Sequence, residues 1–189
     1  MTLFLDEDMV GSDRTELAYP RLILCMGVTC VLGNGTLVGT HINGTHTEKA
    51  LLAKLAEEVQ RIGGGCQLMI MAGNFDEHFN SGMLLPHEKA REMGFIGKIH
   101  AYDTGKLSPG PDGSFVRVVS GGGSNIASID VYAMKEGNQY TTASGSTKPQ
   151  GLLRYSPNRG WNAPMVWKSD TQQTGTKVDT KEFHVVGVH

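Results

Sequence analysis

Two short apolar segments joined by a glycine-containing turn decide the fold of this chain. They read Thr29-Cys30-Val31-Leu32-Gly33-Asn34-Gly35-Thr36-Leu37-Val38-Gly39-Thr40-His41-Ile42. Apolar and β-branched residues around an Asn-Gly pair are the strongest short-range signal for a β-hairpin. We expect Asn34 and Gly35 to supply the positive φ angles of the turn. The apolar run at residues 21–26 predicts a buried strand immediately before the hairpin.

The segment after the hairpin predicts helices and strands in alternation. Thr45 and Glu48 match the capping-box pattern of a helix start. An apolar stripe at helical spacing follows, consisting of Leu51, Leu52, Leu55, Val59 and Ile62. Apolar patterns predict strands at 66–72 and 114–119 and a further strand within 95–102. A second helix is predicted at 87–93. This order predicts an α/β (α+β) sandwich, in which two helices pack on a mixed β-sheet.

The ends of the chain differ in composition from this central part. Residues 1–19 are polar and acidic and predict a loose N-terminal arm. Residues 20–123 form the predicted core. Residues 124–189 are rich in Ser, Thr, Gly, Asn and Gln, and predict a β-rich extension of the same domain. Its strands are expected at 129–134, 140–142, 165–167 and 183–188.

Charge and cysteine content exclude several classes of function. The net charge of -2 and the pI near 6.4 give no support for binding to nucleic acid or to a membrane. The N-terminus has no secretory signal pattern, so we expect a cytoplasmic protein, or one exported without a cleaved signal. Three cysteines without a Cys-x-x-Cys pair favour reduced thiols. We therefore predict no disulfide framework, no metal and no cofactor.

Cys30 and His41 are the candidate catalytic pair, because the predicted hairpin brings their strands together. A thiol in contact with an imidazole forms a thiolate–imidazolium pair, which is a strong nucleophile near neutral pH. The alternative is that Cys30 is a small core residue and His41 a strand-end histidine. Cys25 is expected to be a core residue, and Cys66 a core or partly exposed residue.

Residues 22–123 resemble the chemoreceptor glutamine deamidase family, CheD, and the related deamidase domains of cytotoxic necrotizing factor toxins. Residues 26–31 (Met-Gly-Val-Thr-Cys-Val) match the nucleophile motif of the family. Residues 38–41 (Val-Gly-Thr-His) match its strand ending in the catalytic histidine. Residues 70–74 and 102–105 resemble the family's strand ending in Ala-Gly and its Glu-Asp-Thr-Gly motif.

The resemblance implies a protein glutamine deamidase, and with it a role as a toxin or effector. Cys30 would attack the side-chain amide of an exposed glutamine on a protein substrate, and His41 would transfer the protons. The residue at the family's catalytic threonine position is Leu24, which cannot orient a histidine. Thr29, Thr40, Asn43 or a backbone carbonyl would hold the imidazole instead, and backbone N–H groups near Thr29 and Cys30 would stabilise the oxyanion.

Two other functions remain open at this point. A cysteine peptidase or a transglutaminase would use the same Cys–His pair on another substrate. A non-enzymatic binding module would keep the fold without the chemistry, and Leu24 and Val28, which depart from the family pattern, favour it.

Overall fold

A computed structural model describes most of the 189-residue chain. The described ranges are 2–75, 86–92, 94–106, 113–122, 126–134, 140–143, 148–165, 167–173 and 175–182. Within them, two α-helices accompany the strands: α1 (Thr45–Ile62) and α2 (Pro86–Glu92). No helix in these ranges is long and apolar enough to cross a membrane.

The strands of the described ranges form two sheets. In chain order they are β1 (Thr2–Phe4), β2 (Met9–Asp13), β3 (Glu16–Leu22), β4 (Met26–Leu32), β5 (Leu37–Ile42), β6 (Cys66–Gly73), β7 (Lys98–Asp103), β8 (Ser114–Ser120), β9 (Ala127–Ala133), β10 (Tyr140–Ala143), β11 (Leu153–Arg154), β12 (Lys168–Gln173) and β13 (Thr176–Val178). One sheet has the order β10-β12-β1-β3-β8-β9-β13, and the other has the order β11-β2-β5-β4-β6-β7. Both sheets are mixed, because β1 pairs with β3 and β6 pairs with β7 in parallel, while the remaining pairs are antiparallel.

Two apolar layers hold these elements together. The first layer lies between the sheets and contains Leu3 and Leu17 from one sheet, and Leu37 and Ile70 from the other. The second layer lies between the six-stranded sheet and the helices. Sheet, sheet and helices are therefore stacked in that order, and the predicted α+β sandwich with a mixed sheet and two helices is confirmed.

The predicted hairpin is present as β4 and β5, with Met26 opposite Ile42 and Val31 opposite Leu37. Its turn uses a positive φ angle at Gly35 (φ 81°), and Asn34 is not among the residues with positive φ. One left-handed residue is sufficient for this turn, so the part of the prediction that concerned Asn34 is wrong.

The apolar run at 21–26 does not form one strand. β3 ends at Leu22 and β4 begins at Met26, and these two strands belong to different sheets. The pairing of β3 with β8 shifts register between Tyr19 and Leu22, and Arg21 has a positive φ of 55°. This irregular backbone redirects the chain from one sheet to the other.

The predicted N-terminal arm is wrong, because residues 2–22 form three strands. β1 lies between β12 and β3 inside the seven-stranded sheet. Leu3, Phe4 and Leu5 are buried, and the acidic residues 6–8 form the connection to β2. The apolar side chains at the start of the chain are therefore part of the core.

The helix α1 has the predicted apolar stripe, but its N-cap differs from the predicted one. Leu51, Leu52 and Leu55 are buried against the six-stranded sheet. Gly44, with φ 135°, occupies the N-cap position, so Thr45 lies one residue inside the helix. The capping box is therefore wrong, because only glycine readily adopts the φ angle found at this N-cap.

Strands beyond residue 124 complete both sheets. β9, β10, β12 and β13 join the seven-stranded sheet, and β11 pairs with β2 in the other. The strand predicted at 165–167 begins instead at Lys168. The strand predicted at 183–188 lies outside the described residues.

Candidate functional site

The side chains of Cys30 and His41 lie on opposite faces of the six-stranded sheet. Cys30 is directly opposite Val38, and His41 is directly opposite Gly27. Directly opposite residues share a face, and successive residues along a strand alternate between faces. Val38 and His41 are three residues apart, so they point in opposite directions. The predicted Cys30–His41 catalytic pair is therefore wrong, since the sheet itself separates the thiol from the imidazole.

His41 points into the layer between the two sheets and is fully buried. Its Nδ1 lies 2.9 Å from the Leu5 carbonyl oxygen. A carbonyl oxygen only accepts, so Nδ1 carries the proton of the neutral ring. Nε2 has no hydrogen-bond partner among the described residues. Burial lowers the pKa of His41, although the Leu5 carbonyl and the charges of Asp6, Glu7 and Asp8 act in the opposite direction.

Cys25 directly precedes β4 and lies on the same side of the six-stranded sheet as His41. Its side chain belongs to the apolar layer between the sheets. The Cys25 thiol donates a hydrogen bond to Asn43 Oδ1 at 3.4 Å, and Asn43 Nδ2 donates to Glu7 Oε2 at 2.9 Å. Burial, followed by the charges of Glu7, Asp8 and Asp6, raises the pKa of Cys25 to about 12. The thiol is therefore protonated at neutral pH.

The three side chains predicted to orient His41 have other partners. Thr29 Oγ1 lies 2.6 Å from the hydroxyl of Tyr19. Thr40 Oγ1 donates to the Met9 carbonyl at 3.0 Å. Asn43 contacts Cys25 and Glu7, as described above. The backbone carbonyl that holds the imidazole belongs to Leu5, in a segment for which the sequence predicted a loose arm.

The backbone around Thr29 and Cys30 does not form an oxyanion hole. Both residues lie in β4, which pairs with β5 on one side and with β6 on the other. The backbone N–H groups of a strand paired on both sides are used in the ladder. Donors for an oxyanion are therefore absent at the position that the sequence predicted.

Cys30 lines a cavity between the six-stranded sheet and α1, which we call the thiol cavity. Its volume is about 230 Å³, and it is lined by Cys30, Leu52, Leu55, Ala56, Val59, Gln60, Cys66, Met69, Met71, Ala90, Gly94 and Phe95. Contact with the Cys66 thiol, and then burial, raises the pKa of Cys30 well above its usual value. Within the described ranges, no group of three or more His, Cys, Asp or Glu side chains is arranged to hold a metal ion.

The chain matches no protein-family model, no curated protein and no solved structure. The resemblance to the CheD deamidases therefore stays a prediction that rests on the motifs in the sequence.

Proposed function

We propose that the protein is a non-enzymatic binding module built on an α+β sandwich. The observation that carries the proposal is the separation of Cys30 and His41 by the sheet. A thiol gains nucleophilicity from an imidazole only when the two are within hydrogen-bond reach. Without that contact, Cys30 and His41 cannot act together as a nucleophile and its base.

The protonation states of these groups support the same proposal. The pKa values of Cys30 and Cys25 are raised and that of His41 is lowered, so all three are neutral near pH 7. Reactive cysteines in enzymes have the opposite shift, towards a stable thiolate. The three side chains are also buried, with at most 4% of their surface exposed.

A second candidate is a glutamine deamidase that uses Cys25 instead of Cys30. It is favoured by the arrangement of His41, whose Nδ1 is fixed by the Leu5 carbonyl, while its buried Nε2 has no partner in the part of the chain that the structure describes. A catalytic histidine needs one ring nitrogen held and the other free to move a proton. Cys25 directly precedes β4, and its side chain lies in the layer between the two sheets into which His41 also points.

In this second candidate, His41 acts as a general base towards a neutral thiol. The Cys25 sulfur would leave Asn43, bond to the amide carbon of a glutamine side chain and give its proton to His41 Nε2. The carbon–nitrogen bond would then break, and ammonia would leave with that proton. Water would next give a proton to His41 and attack the thioester, and the sulfur would regain its proton as glutamate is released.

The pH dependence of cysteine alkylation tests the two candidates. Each cysteine is followed by mass spectrometry during reaction with iodoacetamide between pH 6 and 10. For a binding module, we expect neither Cys25 nor Cys30 to be alkylated below pH 8. Alkylation of Cys25 near pH 7 that is lost in His41→Gln would show general-base assistance by the imidazole and would overturn the proposal.

A substrate assay complements the alkylation experiment. The protein is incubated with a blocked glutaminyl-glycine peptide, with and without an added primary amine. We expect no ammonia, no incorporated amine and no cleaved peptide. Ammonia release that is lost in Cys25→Ser but kept in Cys30→Ser would establish the deamidase. Amine incorporation would indicate a transglutaminase, and cleavage a peptidase.

A further inference from the structure

The thiol cavity lies on the face of the six-stranded sheet opposite to His41, so the deamidase candidate with Cys25 and His41 does not use it. Its inner end is closed by side chains that are almost fully buried, among them Cys30 and Met71. Gln60 and Gly94 are exposed, and Cys66 is partly exposed. This gradient of exposure places the mouth of the cavity near the C-terminal end of α1.

The lining of the thiol cavity excludes charged ligands. None of the described side chains that line it is ionisable at neutral pH except the two thiols, and Cys30 is held in its protonated form. Transfer of a charged group from water into such an environment is unfavourable without a partner charge. A ligand for this cavity must therefore be uncharged and largely apolar.

The size of the cavity and the sulfur atoms in its lining narrow the class of ligand further. An apolar protein cavity of about 150 Å³ takes one benzene ring, and the thiol cavity is larger, at about 230 Å³. Four sulfur-bearing residues line it, namely Cys30, Cys66, Met69 and Met71. Sulfur atoms make favourable contacts with aromatic rings, and Phe95 adds an aromatic side chain to the same lining.

We propose that the thiol cavity is the binding site for a small, uncharged aromatic molecule about the size of two fused rings. This inference rests on the proposed binding function and names its ligand class. The ring enters beside Gln60 and Gly94 and lies among the sulfur atoms. Binding is non-covalent, so no covalent bond is formed or broken.

Titration of the full chain with indole tests this proposal by calorimetry. We expect saturable binding of one indole per chain, and at least tenfold weaker binding of indole-3-acetate, which carries a negative charge at neutral pH. Ala56 lines the mouth and is exposed, so Ala56→Trp fills the entrance without disturbing the core. We expect this variant to bind indole at least tenfold more weakly.

The matched control is Ala53→Trp, because Ala53 is exposed on the same helix but does not line the cavity. It should bind indole like the unchanged protein. Indole should also slow the alkylation of Cys66 while leaving that of Cys25 unchanged, since Cys25 lies on the other face. Absence of saturable binding, or equal binding by the two tryptophan variants, overturns the cavity proposal. Failure of the broader binding function has a different signature, which is His41-dependent alkylation of Cys25 near pH 7 or release of ammonia.

Discussion

The ring of Tyr19 stands edge-on against the imidazole of His41, with the ring centroids 6.2 Å apart and the planes inclined by 72°. Tyr19 comes from the seven-stranded sheet and His41 from the six-stranded sheet, so this contact joins the two sheets. The ring fits there because Gly27 and Gly39, on the strands beneath it, carry no side chain. A Cβ atom at Gly27 would lie 2.8 Å from Tyr19 Cγ.

Gly39→Ala is expected to lower the free energy of unfolding by about 1–3 kcal/mol, the usual cost of overpacking a core. The added Cβ would collide with the Tyr19 hydroxyl and lie 2.7 Å from Leu17 Cδ1. Urea denaturation of the variant and the unchanged protein measures the difference.

The control for this prediction is the same substitution in a Tyr19→Phe background. Removal of the hydroxyl makes room for the alanine methyl group, so Gly39→Ala should cost less there than in the unchanged protein. Tyr19→Phe alone is destabilising, by about 1–3 kcal/mol, because it leaves the buried Thr29 hydroxyl without its partner. Strictly additive effects of the two substitutions would contradict the contact.

Stability should fall as the pH is lowered below about 6.5, and His41 should account for part of the loss. The pKa of His41 is lowered in the folded protein from its ordinary value of 6.5. The unfolded chain therefore takes up a proton at a pH at which the folded chain cannot. The stabilisation is complete above pH 6.5 and is lost as the pH falls towards the folded-state pKa, with a slope of at most about 1.4 kcal/mol per pH unit.

His41→Gln removes this titration, so the variant should lose less stability between pH 7 and pH 5 than the unchanged protein. The comparison isolates His41, since the other histidines are present in both chains. Denaturation at a series of pH values gives the two curves. Parallel curves would mean that His41 takes up its proton equally in the folded and unfolded states.

Glu7→Gln should lower the pKa of Cys25. Glu7 is the first among the charges that raise this pKa, and it is tied to the thiol through Asn43. The amide of glutamine keeps an acceptor for Asn43 but removes the negative charge that opposes the thiolate. An NMR titration of ¹³C-labelled cysteine measures the change directly.

Glu57→Gln is the control for that titration, because the charge of Glu57 is not among those that shift the pKa of Cys25. Its side chain is 63% exposed on α1. Only Glu7→Gln should move the Cys25 titration to lower pH. An equal shift in both variants would indicate a general charge effect.

Local signals predicted the hairpin and the apolar stripe of α1 correctly, because each depends on residues close together in the sequence. The same signals do not fix which residues of β4 and β5 share a face. That assignment depends on the register, and a shift of one residue exchanges the faces. In the observed register, odd-numbered residues of β4 share a face with odd-numbered residues of β5. His41 therefore points away from Cys30, into the layer between the sheets that also contains Cys25.

The N-terminal strands were missed for a different reason. Leu3 is buried because β1 pairs with β3 and with β12, whose residues lie more than 160 positions later in the chain. No pattern within residues 1–19 contains that information. The acidic residues 6–8 made the segment resemble a solvated arm, whereas they form the connection between two buried strands.

Leu3→Ala is therefore expected to lower the free energy of unfolding by about 2–5 kcal/mol, the range for a buried leucine. Leu3 has no exposed surface and packs in the layer between the two sheets. Arg14→Ala is the control, since Arg14 is exposed between β2 and β3 and should change stability by less than about 0.5 kcal/mol. Removal of residues 1–5 should have a larger effect than Leu3→Ala, because it deletes β1 from the interior of its sheet and removes the Leu5 carbonyl from His41. Urea denaturation compares the three chains, and equal stability of Leu3→Ala and Arg14→Ala would mean that the N-terminal segment is a loose arm after all.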